Sequence, residues 1–372
     1  MPGTCRLLLC LLLTGIFSLS AGLPPALGAD RQTITVTDDA GRLVTIPVSV
    51  TRIVALGGAL RFVTYLQGLD LVVGVEAVEK KPMDPGRLYG LAVADRLRNL
   101  PVVGEGGPGG KLPDFEQLIA VHPDLIVAVG IDQAQAETIQ QKTTIPVILL
   151  HSGAMAALDL NTTRKSLTLL GSIIDRAERA RTLTTYISRM EADLVRRTSS
   201  QENRPTAYIG AIGFRGKHGI TSTETGYAPL SWVNGHNVAD TIHQSGHLFI
   251  DQEMLLLWNP DFIFLDAGGM EMVRQDYRKN PAFYQLLKAV KEDRVFVMPP
   301  YNAYHTNVET ALANAWFIGK ALYPKAFADI EPADKADTIF DFFLGVKAYA
   351  HLKEAGYGYG RAIFDEPELG IR

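Results

Sequence analysis

The segment YNAYHTN, residues 301–307, gathers side chains of the kinds that bind small ligands. It lies between the apolar run RVFVMPP and the helical pattern NVETALANAWFIGKAL. Parallel α/β sheets bind ligands where strands end, and the free N–H groups at a helix N-terminus favour an anion. An ordinary loop with packed tyrosines is the alternative. We predict a ligand-binding wall made of Tyr301, Asn302, Tyr304 and His305.

Basic side chains follow the first strand pattern of each half of the chain. Arg61 comes shortly after RIVALGG, and Arg215 and Lys217 lie in FRGKHG after AYIGAIG. Arginine forks match carboxylate, phosphate-like or catecholate oxygens, and Gly58 lets a ligand approach the backbone closely. Solvated surface charge is the alternative. We predict that these four residues contact an anionic, oxygen-rich ligand.

The histidines His243 and His247 have the H-x-x-x-H spacing that binds zinc on a helix. Ser245 and Gly246 lie between them and no glutamate follows the first, so they are weak metal candidates. The sequence contains no G-x-S-x-G elbow, Walker loop or H-E-x-x-H motif. These features favour a binding protein over an enzyme. A hydrolase or a periplasmic sensor or adaptor is the alternative class.

The N-terminus predicts export. After Arg6, an apolar run leads to Pro24-Pro25 and the small residues of ALGAD, typical of a signal peptide over residues 1–29. A membrane anchor is the alternative, but the run is short and broken by proline. Cys5 and Cys10 both lie in this segment. We therefore expect a periplasmic protein without thiols.

Strand and helix patterns alternate along the rest of the chain, which predicts an α/β fold with parallel sheets. TITVTDDAGRLVTIP predicts a β-hairpin, and an uninterrupted helical pattern over about 163–197 predicts a rigid strut. Thr306-x-x-Glu309 predicts a capping box. The predicted organisation is an N-terminal lobe over 30–162, a linking helix over 163–200, a C-terminal lobe over 201–350 and an extension over 351–372.

An internal repeat supports two lobes of one design. DFEQLIAVHPDLIVA (114–128) and DQEMLLLWNPDFIFL (251–265) align without gaps, and an aspartate, a glutamate and Pro-Asp recur at the same places. With 36 basic and 40 acidic residues, the net charge of −4 argues against nucleic acid as a partner.

TVTDDAGR, VTIP, RIVALGG and FEQLIAVHPDLIVA, followed by one long helix and a second lobe, resemble the class III substrate-binding proteins of ABC importers. The resemblance covers about residues 34–350. It implies two Rossmann-like lobes joined by a long backbone helix, with no catalysis and no intrinsic cofactor. It also implies a monomer that delivers a metal complex, and a ferric siderophore or other iron chelate is the favoured ligand. Haem, cobalamin, bare iron, molybdate and tungstate remain open.

The same resemblance implies a second partner, an ABC permease dimer with its ATPase. Surface glutamates, one per lobe, dock into arginine pockets of the two permease halves in this family. Glu116 and Glu253, at equivalent places of the internal repeat, are the candidates in this chain. The alternative is that both merely stabilise helix N-termini through the helix dipole.

Overall fold

The predicted hairpin opens the folded chain and leads into an α/β lobe. A computed structural model describes residues 32–81, 84–107, 111–154, 157–365 and 368–372, so the predicted signal peptide lies outside the described residues. The strands of this part are β1 Thr33–Thr37, β2 Leu43–Pro47, β3 Ile53–Gly57, β4 Val72–Gly74, β5 Leu125–Val129, β6 Val147–Leu149, β7 Gly153–Ala154 and β8 Ala157–Leu158. Its helices are α1 Ala59–Tyr65, α2 Tyr89–Leu97, α3 Phe115–Ala120 and α4 Gln133–Thr143.

The N-lobe sheet is parallel throughout, in the order β4-β3-β5-β6. The chain leaves β3 on one side to form β4 and later crosses to the other side to form β5. The carboxyl ends of β3 and β5 therefore flank a switch point, which is where open α/β sheets form a ligand crevice. β1 and β2 pair outside this sheet, as predicted.

The C-terminal lobe contains a larger, mixed sheet. The strands of this lobe are β9 Thr206–Gly210, β10 Ser222–Glu224, β11 His236–Asn237, β12 His247–Phe249, β13 Phe262–Asp266, β14 Val295–Met298, β15 Gly360–Asp365 and β16 Glu368–Ile371. Of these, β10 and β12 pair with each other in a separate two-stranded sheet. The helices of the lobe are α7 Ala228–Ser231, α8 Gln252–Trp258, α9 Met270–Lys279, α10 Pro281–Leu286, α11 Lys288–Lys291, α12 Val308–Leu322, α13 Pro332–Leu344 and α14 Tyr349–Glu354. The sheet order is β11-β9-β13-β14-β15-β16, with the first four strands parallel.

The C-terminal residues differ from the predicted separate extension over 351–372. β15 pairs antiparallel with β14, and β16 pairs antiparallel with β15, so both strands belong to the lobe's own sheet. The sequence did not predict these strands, because their apolar runs are short and follow α14 and a Gly- and Tyr-rich turn.

The single helix predicted over 163–197 is also wrong in its continuity. The segment forms two helices, α5 Leu160–Ile173 and α6 Ala177–Thr198. The chain reverses where Asp175 adopts a left-handed conformation at φ 55°. The two helices pack so closely that a Cβ on Gly171 would lie 2.6 Å from Cβ of Ala180. The helical periodicity was real, but no proline or glycine marked the break.

Helix α6 still connects the lobes. At its start, Arg179 donates to the backbone oxygen of Tyr65 at 2.9 Å, and near its end Arg197 pairs with Asp329 at 2.6 Å. A helix of 22 residues spans about 33 Å. The two lobes with parallel strands agree with the predicted α/β fold.

One hydrophobic cluster runs through both lobes. It joins Ile53 of β3 and Phe62 of α1 to Trp316 of α12 and Phe343 of α13. The ring centroids of Tyr65 and Phe343 are 5.1 Å apart. All of these elements fall in one compact unit, Thr33–Arg372. Bending the lobes apart would expose part of this shared core.

The internal repeat is visible in three dimensions. Asp114 and Asp251 cap α3 and α8 with their carboxylates. His122 and Asn259, also 137 positions apart, both have positive φ, at 45° and 41°.

Each repeat then binds the chain near the start of a central strand of its own lobe, just before β3 or at the first residue of β9. Asp124 accepts from the backbone N–H of Thr51 at 2.9 Å, and Asp261 accepts from that of Thr206 at the same distance. The prediction of two lobes of one design is confirmed in these details. No helix among the described residues is both long enough and apolar enough to cross a bilayer.

Candidate functional site

The crevice at the N-lobe switch point is lined by glycines and filled by His305. A Cβ on Gly130, just after β5, would lie 1.9 Å from Cε1 of the imidazole. On Gly57 it would lie 3.7 Å from Nε2, and on Gly58 it would lie 2.9 Å from Cβ of His305. The approaches at Gly130 and Gly58 require glycine, whereas the distance at Gly57 is an ordinary contact. The C-lobe segment after β14 therefore reaches into the N-lobe.

Tyr304 fixes this segment to the N-lobe. Its hydroxyl donates to Oε2 of Glu76 at 3.0 Å and accepts from the N–H of Gly107 at 3.2 Å. The same carboxylate oxygen accepts from the N–H of Gly57 at 2.8 Å. Burial raises the pKa of Glu76 to about 7, against the opposing effect of these hydrogen bonds. Burial and the adjacent Glu76 also raise the pKa of Tyr304, which keeps the phenol protonated.

Arg61 is a buried cation with incomplete pairing. It is 1% exposed, and its Nη2 donates to the backbone oxygen of Tyr304. Its Nε and Nη1 have no hydrogen-bond partner among the described residues. The guanidinium lies over the ring of Tyr89, 5.0 Å from its centroid. Buried charged donors are normally paired, so these two nitrogens are equipped to bind an anion.

The backbone that presents His305 is strained. Tyr304 and His305 have φ of 48° and 65°, a backbone region that residues other than glycine seldom adopt. The amide of Asn307 holds the turn by donating to the backbone oxygens of Tyr301 and Ala303, both at 3.0 Å. Burial, with Arg61 as a second cause, lowers the pKa of His305 to about 4, so the imidazole is neutral at pH 7.

Tyr301 turns the other way, into the C-lobe. It is 3% exposed and donates to Oε1 of Glu224 at 3.2 Å. Burial raises the pKa of Glu224 to about 8 and that of Asp266, at the end of β13, to about 7. The two tyrosines of the loop therefore each contact a buried carboxyl group, one in each lobe.

The remaining predicted contact residues are more exposed. Arg215 and Lys217 are solvent-exposed in the loop after β9, and Arg215 lies over Phe214 at 5.4 Å. Lys217 acts electrostatically on Asp266 and lowers its pKa against the larger effect of burial. Asn302 is half-buried and accepts from Thr306 Oγ1 at 3.4 Å. The structure thus brings together Gly58, Arg61, Tyr304 and His305, and leaves Arg215 and Lys217 on the C-lobe surface.

The capping box predicted from Thr306 and Glu309 is wrong. Asn307 precedes α12, and its side chain makes no cap bond. Glu309 is fully buried and accepts from the hydroxyl of Tyr65, an α1 residue. A glutamate three residues after a threonine was the right signature, but Glu309 has a partner in the other lobe.

The two weak metal candidates do not lie on a helix. His243 ends a 3-10 turn with φ 57°, and His247 lies on β12 and hydrogen-bonds Ser222 at 2.8 Å. No group of three His, Cys, Asp or Glu side chains within the described ranges could hold a metal ion. The local geometry that zinc binding by H-x-x-x-H requires is therefore missing here.

Sequence reasoning missed Glu76, Glu224 and Asp266. Asp266 ends the strand DFIFLD and Glu76 follows the strand VVG, so their position at strand ends was available as a signal. Their contact with the loop at 301–305 could not be predicted from the sequence, because it depends on how the lobes pack.

Two α/β lobes of this kind are typical of a class of ligand-binding proteins, and comparison with known proteins supports this class. The model of the periplasmic binding protein family matches residues 72–302, more than half of the chain. The chain belongs to the periplasmic binding protein family. It is a solute-binding protein of the ABC-transporter type and not an enzyme. No curated protein matches the sequence.

Solved structures with the same fold carry different ligands. MolA of Haemophilus influenzae, with molybdate bound, has a TM-score of 0.67 at 19% identity, over 84% of this chain and 98% of its own. CeuE of Helicobacter pylori, in a Ni-His complex, has 0.61 at 16%, over 88% and 100%. A Saccharomonospora viridis protein of an Fe3+-hydroxamate transport system has 0.55 at 20%, over 78% and 99%. These similarities establish the fold only.

Proposed function

We propose that this protein captures an anionic, oxygen-rich metal complex in the periplasm and delivers it to an ABC import permease. A ferric siderophore or another iron chelate is the first candidate. The ligand would lie between the lobes, with Arg61 on one side and Arg215 and Lys217 on the other. Tyr304, His305, Asn302 and Gly58 would form the wall between them, and Tyr301 would support that wall from within the C-lobe.

The buried guanidinium of Arg61 carries this proposal. Arg61 is 1% exposed, and two of its nitrogens have no acceptor in the described part of the chain. A chelate oxygen or carboxylate would supply an acceptor for each of them. Arg61 acts electrostatically on Glu79 and Glu309, and burial raises the pKa of both carboxyl groups. Glu76, Asp266 and Glu224 have pKa values of about 7, 7 and 8, so at pH 7 the first two are about half protonated and Glu224 is mostly protonated. These three groups together carry less negative charge than the positive charge of Arg61, Arg215 and Lys217.

A small oxyanion such as molybdate is the second candidate. The observation in its favour is the size of the N-lobe crevice, in which one imidazole ring fills the space between three glycines. A tetrahedral oxyanion is comparable in size to that ring, and a chelate is much larger. A chelate would therefore contact Arg61 from the cleft side.

Native mass spectrometry and metal analysis of freshly purified, exported protein test the proposal. We expect a non-covalent adduct that contains iron, or molybdenum for the second candidate. A uniformly metal-free protein that also fails to bind ferric citrate, a ferric hydroxamate, a ferric catecholate and molybdate would overturn it.

The exposed cations give a second test. Arg215→Ala with Lys217→Ala should slow association with an anionic ligand and weaken its salt dependence, because these charges steer the encounter. Arg189→Ala with Lys165→Ala is the matched control, since it removes the same charge from exposed helix positions elsewhere. Equal association rates for both double variants would exclude Arg215 and Lys217 from the site.

A further inference from the structure

The N-lobe crevice has an occupant of its own. Where β3 and β5 end, at Gly57 and Gly130, an open α/β sheet offers its ligand position, and the imidazole of His305 lies there. The ring comes from the other lobe. A ligand that reaches the crevice must share this space or displace the ring.

The occupant does not match the charge of the crevice. His305 is neutral, whereas the adjacent Arg61 is cationic and leaves Nε and Nη1 without partners in the described part of the chain. A Cβ on Gly58 would lie 2.8 Å from Nη1 of Arg61 and 2.9 Å from Cβ of His305, so both side chains border the same glycine. An anion in place of the ring would form an ion pair with the guanidinium, which a neutral imidazole cannot form.

Specific contacts nevertheless hold the ring in place. Tyr304 binds Glu76 and Gly107, and Arg61 binds the backbone oxygen of Tyr304. Gly86 packs against this segment, since a Cβ there would lie 2.6 Å from Cβ of Ala303. Two successive positive-φ residues persist only when their surroundings impose them, and they favour release once those contacts are lost.

We propose that Tyr304 and His305 form a latch that occupies the N-lobe anion crevice and that an anionic ligand displaces. Glu76 is the positioning residue of the latch, because its carboxylate joins the end of β3 to the hydroxyl of Tyr304. The proposal rests on the proposed function, since it assumes an anionic ligand. It changes the role of Tyr304 and His305 from a fixed wall to an occupant that leaves, so that the chain itself competes with the ligand for the N-lobe binding position. The apparent affinity is the intrinsic affinity multiplied by the fraction of molecules in which the latch is open.

A disulfide across the latch tests the displacement. Gly86→Cys with Ala303→Cys would tether the segment to the N-lobe after a shift of about 1 Å, since disulfide Cβ atoms lie about 3.8 Å apart. Cys5 and Cys10 lie in the predicted signal peptide, so the exported protein should contain only the engineered pair. We expect the oxidised protein to lose at least about tenfold in affinity for molybdate or ferric citrate, whichever binds the natural chain, and reduction to restore it.

The single variants Gly86→Cys and Ala303→Cys are the controls, and both should be insensitive to reduction. Equal affinity of the oxidised and reduced double variant would overturn the latch, because it would show that the ligand binds with the segment in place.

Tyr304→Phe provides a test of opposite sign. It removes the bond to Glu76 and keeps the ring, so a latch predicts an affinity increase of about fivefold to tenfold, the effect of one hydrogen bond. A fixed binding wall predicts a decrease. Tyr323→Phe is the matched control, because Tyr323 donates to the backbone oxygen of Asn234, away from the cleft.

Hydrogen exchange separates the latch from the proposed function. If none of the anionic probes binds the natural chain, the proposed function fails. The latch still predicts faster exchange at the amides of Gly57 and Gly58 in Tyr304→Phe than in Tyr323→Phe. Unchanged exchange at those two glycines would overturn the latch on its own.

Discussion

Arg61 is buried, and two of its guanidinium nitrogens have no hydrogen-bond partner among the described residues. Arg61→Met keeps a long side chain and removes the charge. We expect anion affinity to fall at least about tenfold, as for loss of a charge-assisted hydrogen bond, while the melting temperature stays the same or rises. We expect no loss of stability in Arg61→Met, because burying an incompletely paired cation costs free energy. Calorimetric titration and thermal unfolding would measure both.

Arg189→Met, on the exposed surface of α6, is the matched control and should alter neither quantity. Retained affinity in Arg61→Met would contradict the site. A large fall in melting temperature would instead assign Arg61 a structural role.

Glu76 predicts how stability depends on pH. Its folded pKa of about 7 lies above its usual value of 4.5, so the folded state holds the proton more tightly than the unfolded state. Ionisation therefore destabilises the fold progressively between about pH 4.5 and 7. Glu76→Gln keeps an acceptor for Gly57 and Tyr304 but cannot ionise. Relative to the natural chain it should gain about 2 to 3 kcal/mol between pH 5 and pH 8.

Asp159→Asn is the control of opposite sign. Asp159 caps α5, and its hydrogen bonds with Thr162 lower the pKa of the carboxylate. It stabilises the fold above its unfolded pKa, and that stability is lost as the pH falls through the folded value. Chemical denaturation at pH 5 and pH 8 would measure the free energy of unfolding of both proteins. If Glu76→Gln were more stable than the natural chain by the same amount at both pH values, the raised pKa of Glu76 would be contradicted.

At the scale of single elements, the reversal between α5 and α6 makes Gly171 a packing residue. An exposed helical glycine gains stability on replacement by alanine, by about 1 kcal/mol. Gly171→Ala should instead lose about 1 to 3 kcal/mol, because its Cβ would meet that of Ala180 at 2.6 Å. Ser172→Ala, on the exposed side of the same helix, is the control. A stabilised Gly171→Ala, measured by denaturant unfolding, would contradict this packing.

The elements also show where sequence patterns lose their predictive value. Apolar runs such as IVALG and FIFLD identified their strands, because a buried parallel strand needs an uninterrupted apolar stretch. The break at Asp175 was missed, since an aspartate can adopt positive φ without a sequence marker. Glu309 was assigned to a local cap because its partner Tyr65 lies 244 residues away. Contacts between lobes leave no periodic signal.

At the scale of the whole molecule, delivery to a permease predicts an acidic contact on each lobe. Glu116 and Glu253 are exposed in the first turns of α3 and α8, at equivalent places in the repeat. Glu116→Ala with Glu253→Ala should abolish ligand uptake and stimulation of the transporter's ATPase, with unchanged ligand affinity. Two equivalent lobes would each meet one half of a dimeric permease.

The matched control replaces Glu137 and Glu354, which are exposed on other helices, one in each lobe. Normal uptake by the Glu116 and Glu253 double variant, measured in cells or reconstituted vesicles, would contradict docking. A fall confined to stability would indicate that the two glutamates only support their helices.

The shared core predicts a small change in overall shape. Because one cluster joins α1 to α12 and α13, wide opening of the cleft would expose buried aromatic rings. We expect nearly superimposable small-angle scattering curves with and without a bound ligand. Marked compaction on ligand addition would contradict a stiff connection and indicate that the cluster opens.

The repeat capped by Asp114 and Asp251 also has a historical consequence. The same aspartate cap, a left-handed residue at the same place and a matching aspartate bond at the start of the lobe's sheet occur in both lobes. Duplication and fusion of an ancestral gene for a single lobe would leave this pattern. Two identical lobes would first have paired as a symmetric dimer, with like surfaces facing each other. On that account, the glycines of one lobe and the histidine of the other would have arisen after fusion, when the two copies could change independently.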